Sequence, residues 1–285
     1  MNTMNPNGIR IAAAAVLAAA CGCTDPFKEP PKPAAEYSRD GDQYYIGGDF
    51  YRAMNQYGQA INRDSDYAPG WAGLGDVHRE LAVIEFQKIP SLHQIQEKQA
   101  KGEPVNPAPT VVPNDHLTRS RWAFEEALRR DAGMTRALYG LGKLYYEKAV
   151  RLADAPVWKD QGRAYATPDD RKAWAEKSVG HLTRALSSSR KDDEFYRWSH
   201  RYLGILYTLL GRRDDARAAF ATFQQFSRET LEFLKSRIPQ DDKERIELDT
   251  RRMILEKDVE EVDALIIDLE RQAGPGSKSQ VPSSK

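Results

Sequence analysis

Beyond residue 23 the chain has no cysteine. Cys21 and Cys23 are the only two in 285 residues, so no disulfide can staple what folds downstream of them. Net charge is absent as well, with 42 Lys and Arg against 42 Asp and Glu, which leaves no global field to recruit nucleic acid or an anionic membrane. The one sustained apolar run, Ile11 to Ala20, is ten residues long, about half of what a membrane span needs. Signatures of catalysis are missing too: no HExxH, no G-x-S-x-G, no phosphate-binding loop and no dinucleotide fingerprint. The five histidines (His78, His93, His116, His181, His200) form no i,i+4 pair. Asn62, Asp64 and Asp66 start like a calcium loop, but Tyr67 stands where glycine is required and Gly73 where the bidentate Glu belongs. The stretch reads instead as a turn. No catalytic residue, metal ligand or cofactor is expected.

What is present begins at the N-terminus. Arg10 and the free amine precede the apolar run, a pattern that reads as a secretory signal over residues 1–20. Both cysteines sit where that run stops. "LAAAC" resembles a bacterial lipoprotein box, in which the cysteine becomes the lipidated first residue of the mature protein; here that residue is Cys21. Leu17 lies four residues before it, where three is the favoured spacing, and simple cleavage after Ala18–Ala20 is the alternative. Gly22, rather than Asp, after the lipidated residue favours the outer membrane by resemblance to enterobacterial sorting. Residues 21–33, rich in proline, read as an extended tether.

Further on, "LGILYTLLGRRDDARAAF" (Leu203–Phe220) carries large and small residues at fixed intervals. With Leu203 as seventh position, Gly204 is eighth, Tyr207 eleventh, Gly211 fifteenth, Ala216 twentieth and Phe220 twenty-fourth. This resembles the 34-residue tetratricopeptide repeat. Tyr37, Gly41, Tyr44, Gly48, Ala53, Tyr57 and Ala60 hold the same spacing in residues 34–67. Trp71, Leu74 and Gly75 restart it, resuming at Phe124 and Ala127. Leu141, Gly142 and Tyr145 open another copy, closed by Leu182 and Ala185. The resemblance covers residues 34–230 and implies an all-α solenoid of about four helix pairs. Within each pair, small residues such as Gly204 and Ala216 are expected to face one another. His78 and His200 fall in packing slots of the repeat.

Two copies are stretched. Gly41 to Ala60 spans 19 residues, but Gly75 to Ala127 spans 52 and Gly142 to Ala185 spans 43. Insertions are therefore expected near 88–113 and 151–167, between paired helices and on one edge of the array. Asn114 or Asp115 is expected to turn the chain back into helix after the first. Thr167, followed by Pro168, Asp169 and Asp170, has the residue types of a helix start. Trp158 and Tyr165 lie in the second insert and are expected to cover the first, or to be a binding surface of their own. After "IPQ" (Ile238–Gln240), Asp241 and Glu244 open a helix to about Gln272, so that residues 231–272 read as C-terminal helices. Leu248, Leu255, Val259, Val262, Ile266 and Leu269 make an apolar stripe interrupted by Arg252. That stripe suits either a capping helix or a homodimeric coiled coil. Residues 273–285 read as a disordered tail.

The resemblance also implies a function. In this family the first helix of each copy lines a concave groove through positions 2, 5, 9, 12 and 13. Those positions place Asp42 and Tyr45, Asp76 and Arg79, Arg136, Tyr139, Lys143 and Tyr146, and Trp198, Arg201, Ile205 and Thr208. Of these, Tyr45, Arg79, Arg136, Tyr139, Lys143, Tyr146, Trp198 and Arg201 are the candidate partner-binding residues. Those of copies three and four join cations to aromatics and suit an acidic or aromatic peptide, although such residues on helices are also ordinary surface. Ser38 and Asp42 replace the Lys and Asn with which some family members clamp a terminal carboxylate. The expectation is a non-enzymatic, lipid-anchored adaptor for protein or peptide partners in a bacterial cell envelope, facing the periplasm, with no nucleic-acid partner. The alternatives are a structural homodimer through the C-terminal helix, an enzyme with its site in the inserts, and a secreted or soluble periplasmic protein.

Overall fold

The computed structural model describes residues 32–87, 97–98, 100–103, 112–151, 166–190 and 193–271. Cys21, Trp158, Tyr165 and the 273–285 tail lie outside the described residues. The chain divides after Pro33, and every helix named below belongs to the second unit. Among the described residues there are nine α-helices and no strand. Four antiparallel pairs form: α1 (Ala34–Ile46) with α2 (Phe50–Arg63), α3 (Ala68–Gln87) with α4 (Val112–Arg130), α5 (Thr135–Tyr146) with α6 (Pro168–Ser188), and α7 (Glu194–Leu209) with α8 (Arg213–Ser236). A final helix, α9 (Asp242–Arg271), packs along α8. None of the described helices is long and apolar enough to cross a membrane.

One contact recurs in every pair. The eighth-position glycine of the first helix lies under the twenty-fourth-position side chain of the second: Gly41 under Tyr57, Gly75 under Phe124, Gly142 under Leu182 and Gly204 under Phe220. A Cβ on any of the four would fall within 2.8 Å of that side chain. The expectation that Gly204 faces Ala216 is therefore corrected, because the glycine makes room for a ring rather than for another small residue. Each of these covering side chains is buried, and burying one contributes about 1.5–3 kcal/mol.

The same side chain also locks one pair to the next. Tyr57 closes on Gly73 and Phe124 on Gly140, both at the sixth position of the following copy, where a Cβ would sit 2.2 and 2.3 Å from the rings. In the third copy the twenty-fourth residue is the smaller Leu182, and the sixth position of the next copy is then Tyr202, buried in the same cluster. Volume removed on one side is returned on the other, as close packing requires. In the two stretched pairs a serine at the twentieth position adds a hydrogen bond. Ser120 donates to the Gly75 carbonyl (2.8 Å) and Ser178 to that of Gly142 (2.6 Å).

Local chemistry sets the ends. Gly48 and Gly211, at the fifteenth position of the first and fourth copies, take φ of 76° and 73° to turn between paired helices, a conformation costly for a Cβ-bearing residue. Thr167 caps α6 in a reciprocal box with Asp170. Glu244 donates its backbone N–H to Asp241 (2.7 Å), but its carboxylate accepts from Gln240, one residue earlier than an ideal box. α5 runs on through a π-turn to Arg151. Two boundaries differ from expectation: the helix after the first insert already opens at Val112, and α8 continues unbroken past residue 230 to Ser236. The last follows from Phe220, Phe223, Ser227, Leu231 and Leu234, which keep one buried face along all of α8.

The stripe on α9 is used within the chain. Leu248 and Leu255 pack against Leu231 and Leu234, while Val262 and Leu269 pack against Ala216, Phe220 and Phe223. Of the two readings of the stripe, its packing on α8 is that of the capping helix, which supplies the covered outer face that a solenoid end needs. Arg252, the interruption, has its own reason: its Nη2 donates to the Leu234 carbonyl at 2.6 Å. Carbonyls in the last turn of a helix have no intrahelical partner, and a cation there also meets the negative end of the dipole. The fold is an all-α tetratricopeptide-type solenoid of four helix pairs closed by a long C-terminal helix.

Candidate partner-binding groove

The first helices α1, α3, α5 and α7 bring the expected residues together in two adjoining clusters. The first is ionic. Arg136 on α5 donates Nε to Asp76 on α3 and Nη1 to Asp42 on α1, both at 2.7 Å. Its Nη2 reaches the Tyr57 hydroxyl (3.2 Å), which itself donates to Asp42 (2.7 Å). One guanidinium thus ties three helix pairs. Burial alone would lower its pKa, but Asp76, Tyr57 and Asp42 outweigh burial and raise it. Arg79, with only 4% of its side chain exposed, lies 2.8 Å from Glu80 and 3.8 Å from Asp76. Tyr45 donates its hydroxyl to Glu80 (3.3 Å) and accepts from Arg79 (3.4 Å). Burial, and then Asp76, push the Tyr45 phenol well up. Lys143 stands 3.7 Å from Glu80; burial first, and then Arg79, hold its pKa down.

The second cluster is aromatic. Tyr202 is its hub, with ring centroids 4.5 Å from Tyr146, 6.2 Å from Tyr139 and 6.3 Å from Trp198. Burial, ahead of Glu147 and Tyr202, pushes Tyr146 up to about 12. Arg201 lies over Trp198 at 5.4 Å and donates to Glu261 on α9. The four candidate cations, Arg79, Arg136, Lys143 and Arg201, therefore already face carboxylates of the chain itself. The first-helix face presents paired charges and ring edges. Unused hydrogen-bonding capacity remains at Arg79 Nε and Nη1 and at Glu147 Oε2, all buried without a partner among the described residues.

Glu80, Glu147 and Tyr202 were not among the expected site residues. Glu80 and Glu147 hold position 13 of their copies, so the register that found Arg79 and Tyr146 points to them too. Tyr202 holds the sixth position, and only its volume relation to Leu182 gives it away. Glu261 comes from α9, which lies outside the repeat and carries no positional signal.

Two histidines also meet in this fold. His78 Nδ1 and His116 Nδ1 are 2.9 Å apart, so one ring must donate and the other accept, which two imidazolium rings cannot do. Burial, then His116 and Arg119, push His78 down to about 4, and burial pushes His200 to about 4. A base whose pKa is lowered on folding takes up its proton more readily in the unfolded chain. Stability should therefore be complete above about pH 6.5 and be lost as pH falls toward 4. For His78 the loss should reach about 2–3 kcal/mol. Urea unfolding at pH 7.5 and 4.5, in the parent and in His78→Phe, checks this: the variant should lose less stability on acidification, and an equal loss would contradict it.

No family model matches the chain, and no curated protein does so. Among solved structures it is similar to TTC0263, a thermophilic TPR protein in Thermus thermophilus, with 13% identity over 84% of this chain and 99% of that one and a TM-score of 0.46. The MamA protein is similar at 16% identity over 87% and 98%, with a TM-score of 0.41. A monomeric mutant of IFIT1 with Gppp-AAAA is similar at 12% identity over 94% and 71%, with a TM-score of 0.34. The fold is read from the glycine-on-ring register rather than from these similarities.

Proposed function

We propose that the chain is a lipid-anchored adaptor on the periplasmic face of a bacterial outer membrane, holding a protein or peptide partner against the surface built by α1, α3, α5 and α7. The observation that carries this reading is the tie made by Arg136, which fixes the first helices of three pairs in one arrangement before any partner arrives. Surfaces ordered in advance bind with less entropic cost than ones ordered on contact. With its cations already paired, the groove suits a partner that presents rings and backbone hydrogen-bonding groups rather than a naked carboxylate. The homodimer reading is less well supported, since the stripe it relied on is buried against α8.

Cys21 tests the anchor. In Cys21→Ser, palmitate labelling should vanish and the protein should move from the membrane to the soluble fraction. Labelling that persists, with membrane association unchanged, would contradict an anchor at Cys21.

A further inference from the structure

Two cavities lie along α7 and α8, the smaller one also lined by α9. One of about 610 Å³ and one of about 180 Å³ share Glu194, Arg197 and Thr230, and so adjoin as the outer and inner parts of a cleft. Its walls carry exposed apolar side chains: Phe233 is 60% exposed and Ile254 51%, with Phe226 and Leu255 beside them. Carboxylates outnumber cations along it. Asp193, Glu194 and Glu229 line the outer part, and Asp258 lines the inner pocket. Of the two arginines, Arg251 is held by Glu247 at 3.0 Å, while Arg197 faces Glu194 at 3.7 Å and also feels the charge of Asp258.

Asp258 decides the chemistry. It is 9% exposed, and its Oδ2 is buried without a hydrogen-bond partner among the described residues. A buried carboxylate that keeps one oxygen unused is costly unless something cationic or hydrogen-bonding meets it. Burial raises its pKa, against the opposing pull of Arg201 and Arg197.

We infer that this cleft takes a peptide segment of a partner protein in which a lysine or arginine stands beside a bulky apolar residue. The cation enters the inner pocket toward Asp258, and the apolar side chain lies against Phe226 and Phe233. The cleft shares only Trp198 with the residues assigned to the groove, so it stands or falls separately from the adaptor reading.

The test uses purified full-length chain and three end-blocked, fluorescein-labelled peptides read by anisotropy: Leu-Lys-Leu-Lys-Leu, its Leu-Glu counterpart and its Ser-Lys counterpart. The Leu-Lys peptide should bind at least about tenfold more tightly than either of the others. Asp258→Asn should weaken that binding about tenfold without lowering Tm, because it removes a buried, incompletely partnered charge. Phe233→Ser, at an exposed position that the fold does not need, should weaken it similarly. Asp214→Asn changes an exposed acid outside the cleft and should leave it unaltered. Equal affinity for the three peptides, insensitivity to both cleft variants, or an equal loss in Asp214→Asn would each overturn the proposal.

Discussion

Gly140→Ala should destabilise the protein by about 2–3 kcal/mol, the upper part of the range for overpacking. The added Cβ would lie 2.3 Å from Phe124, and that ring cannot retreat, since Gly75 backs it on the other side with a Cβ position 2.7 Å away. Phe124→Leu alone should also destabilise, by about 1–2 kcal/mol, because it leaves part of a buried ring's volume empty. The two together should cost at least about 1 kcal/mol less than their sum. The chain already contains the paired solution: where position 24 is Leu182, the facing sixth position is Tyr202. Urea unfolding of the parent, both single variants and the double variant measures the coupling. Additive effects would mean that the ring is not the lock between the second and third pairs.

Arg136→Met should be the most damaging polar substitution in the groove, at about 2–3 kcal/mol. Removing one partner of a buried ion pair costs about 3–5 kcal/mol. The figure is scaled down here because 21% of the Arg136 side chain and 43% of the Asp42 side chain remain exposed. Asp42 and Asp76 would be left facing one another with no cation between them. Arg136→Lys should recover only part of the loss, since an ammonium cannot reproduce the two-sided fork to Asp76 and Asp42. High salt should narrow the gap between parent and Met variant by screening the two carboxylates. A Met variant as stable as the parent would show that the ion pairs only offset their own desolvation, and would remove the prearranged groove from the account.

The register that begins at Leu203 carried a long way because it reports geometry. Gly41, Gly75, Gly142 and Gly204 were all visible as eighth positions, and each covers the same spot. Their exact partners were less visible. Small residues suggested small-on-small contacts, whereas close approach here serves to seat a ring. The link between positions 24 and 6 is a relation between neighbouring copies, so no single copy displays it. On α9 the period of Leu248, Leu255, Val262 and Leu269 was plain, but a period does not say which surface it meets, and the stripe met α8. Arg252 looked like a flaw until the Leu234 carbonyl supplied its partner. The continuation of α8 was legible in Ser227, Leu231 and Leu234, had the apolar face been followed beyond the end of the repeat. Charges were the hardest to read. Position numbers found Arg79, Arg136 and Lys143 but not that carboxylates at neighbouring positions would already hold them.

The measurement that bears most directly on the adaptor reading is photo-crosslinking in intact cells. A photoreactive residue is placed at Tyr45 or Thr208, on the first-helix face, and at Trp122 or Lys172, exposed on second helices. The account predicts discrete partner adducts from Tyr45 and Thr208, their loss when Cys21→Ser releases the protein from the membrane, and none from Trp122 or Lys172. Adducts confined to Trp122 and Lys172, or no adduct from either first-helix position, would contradict it.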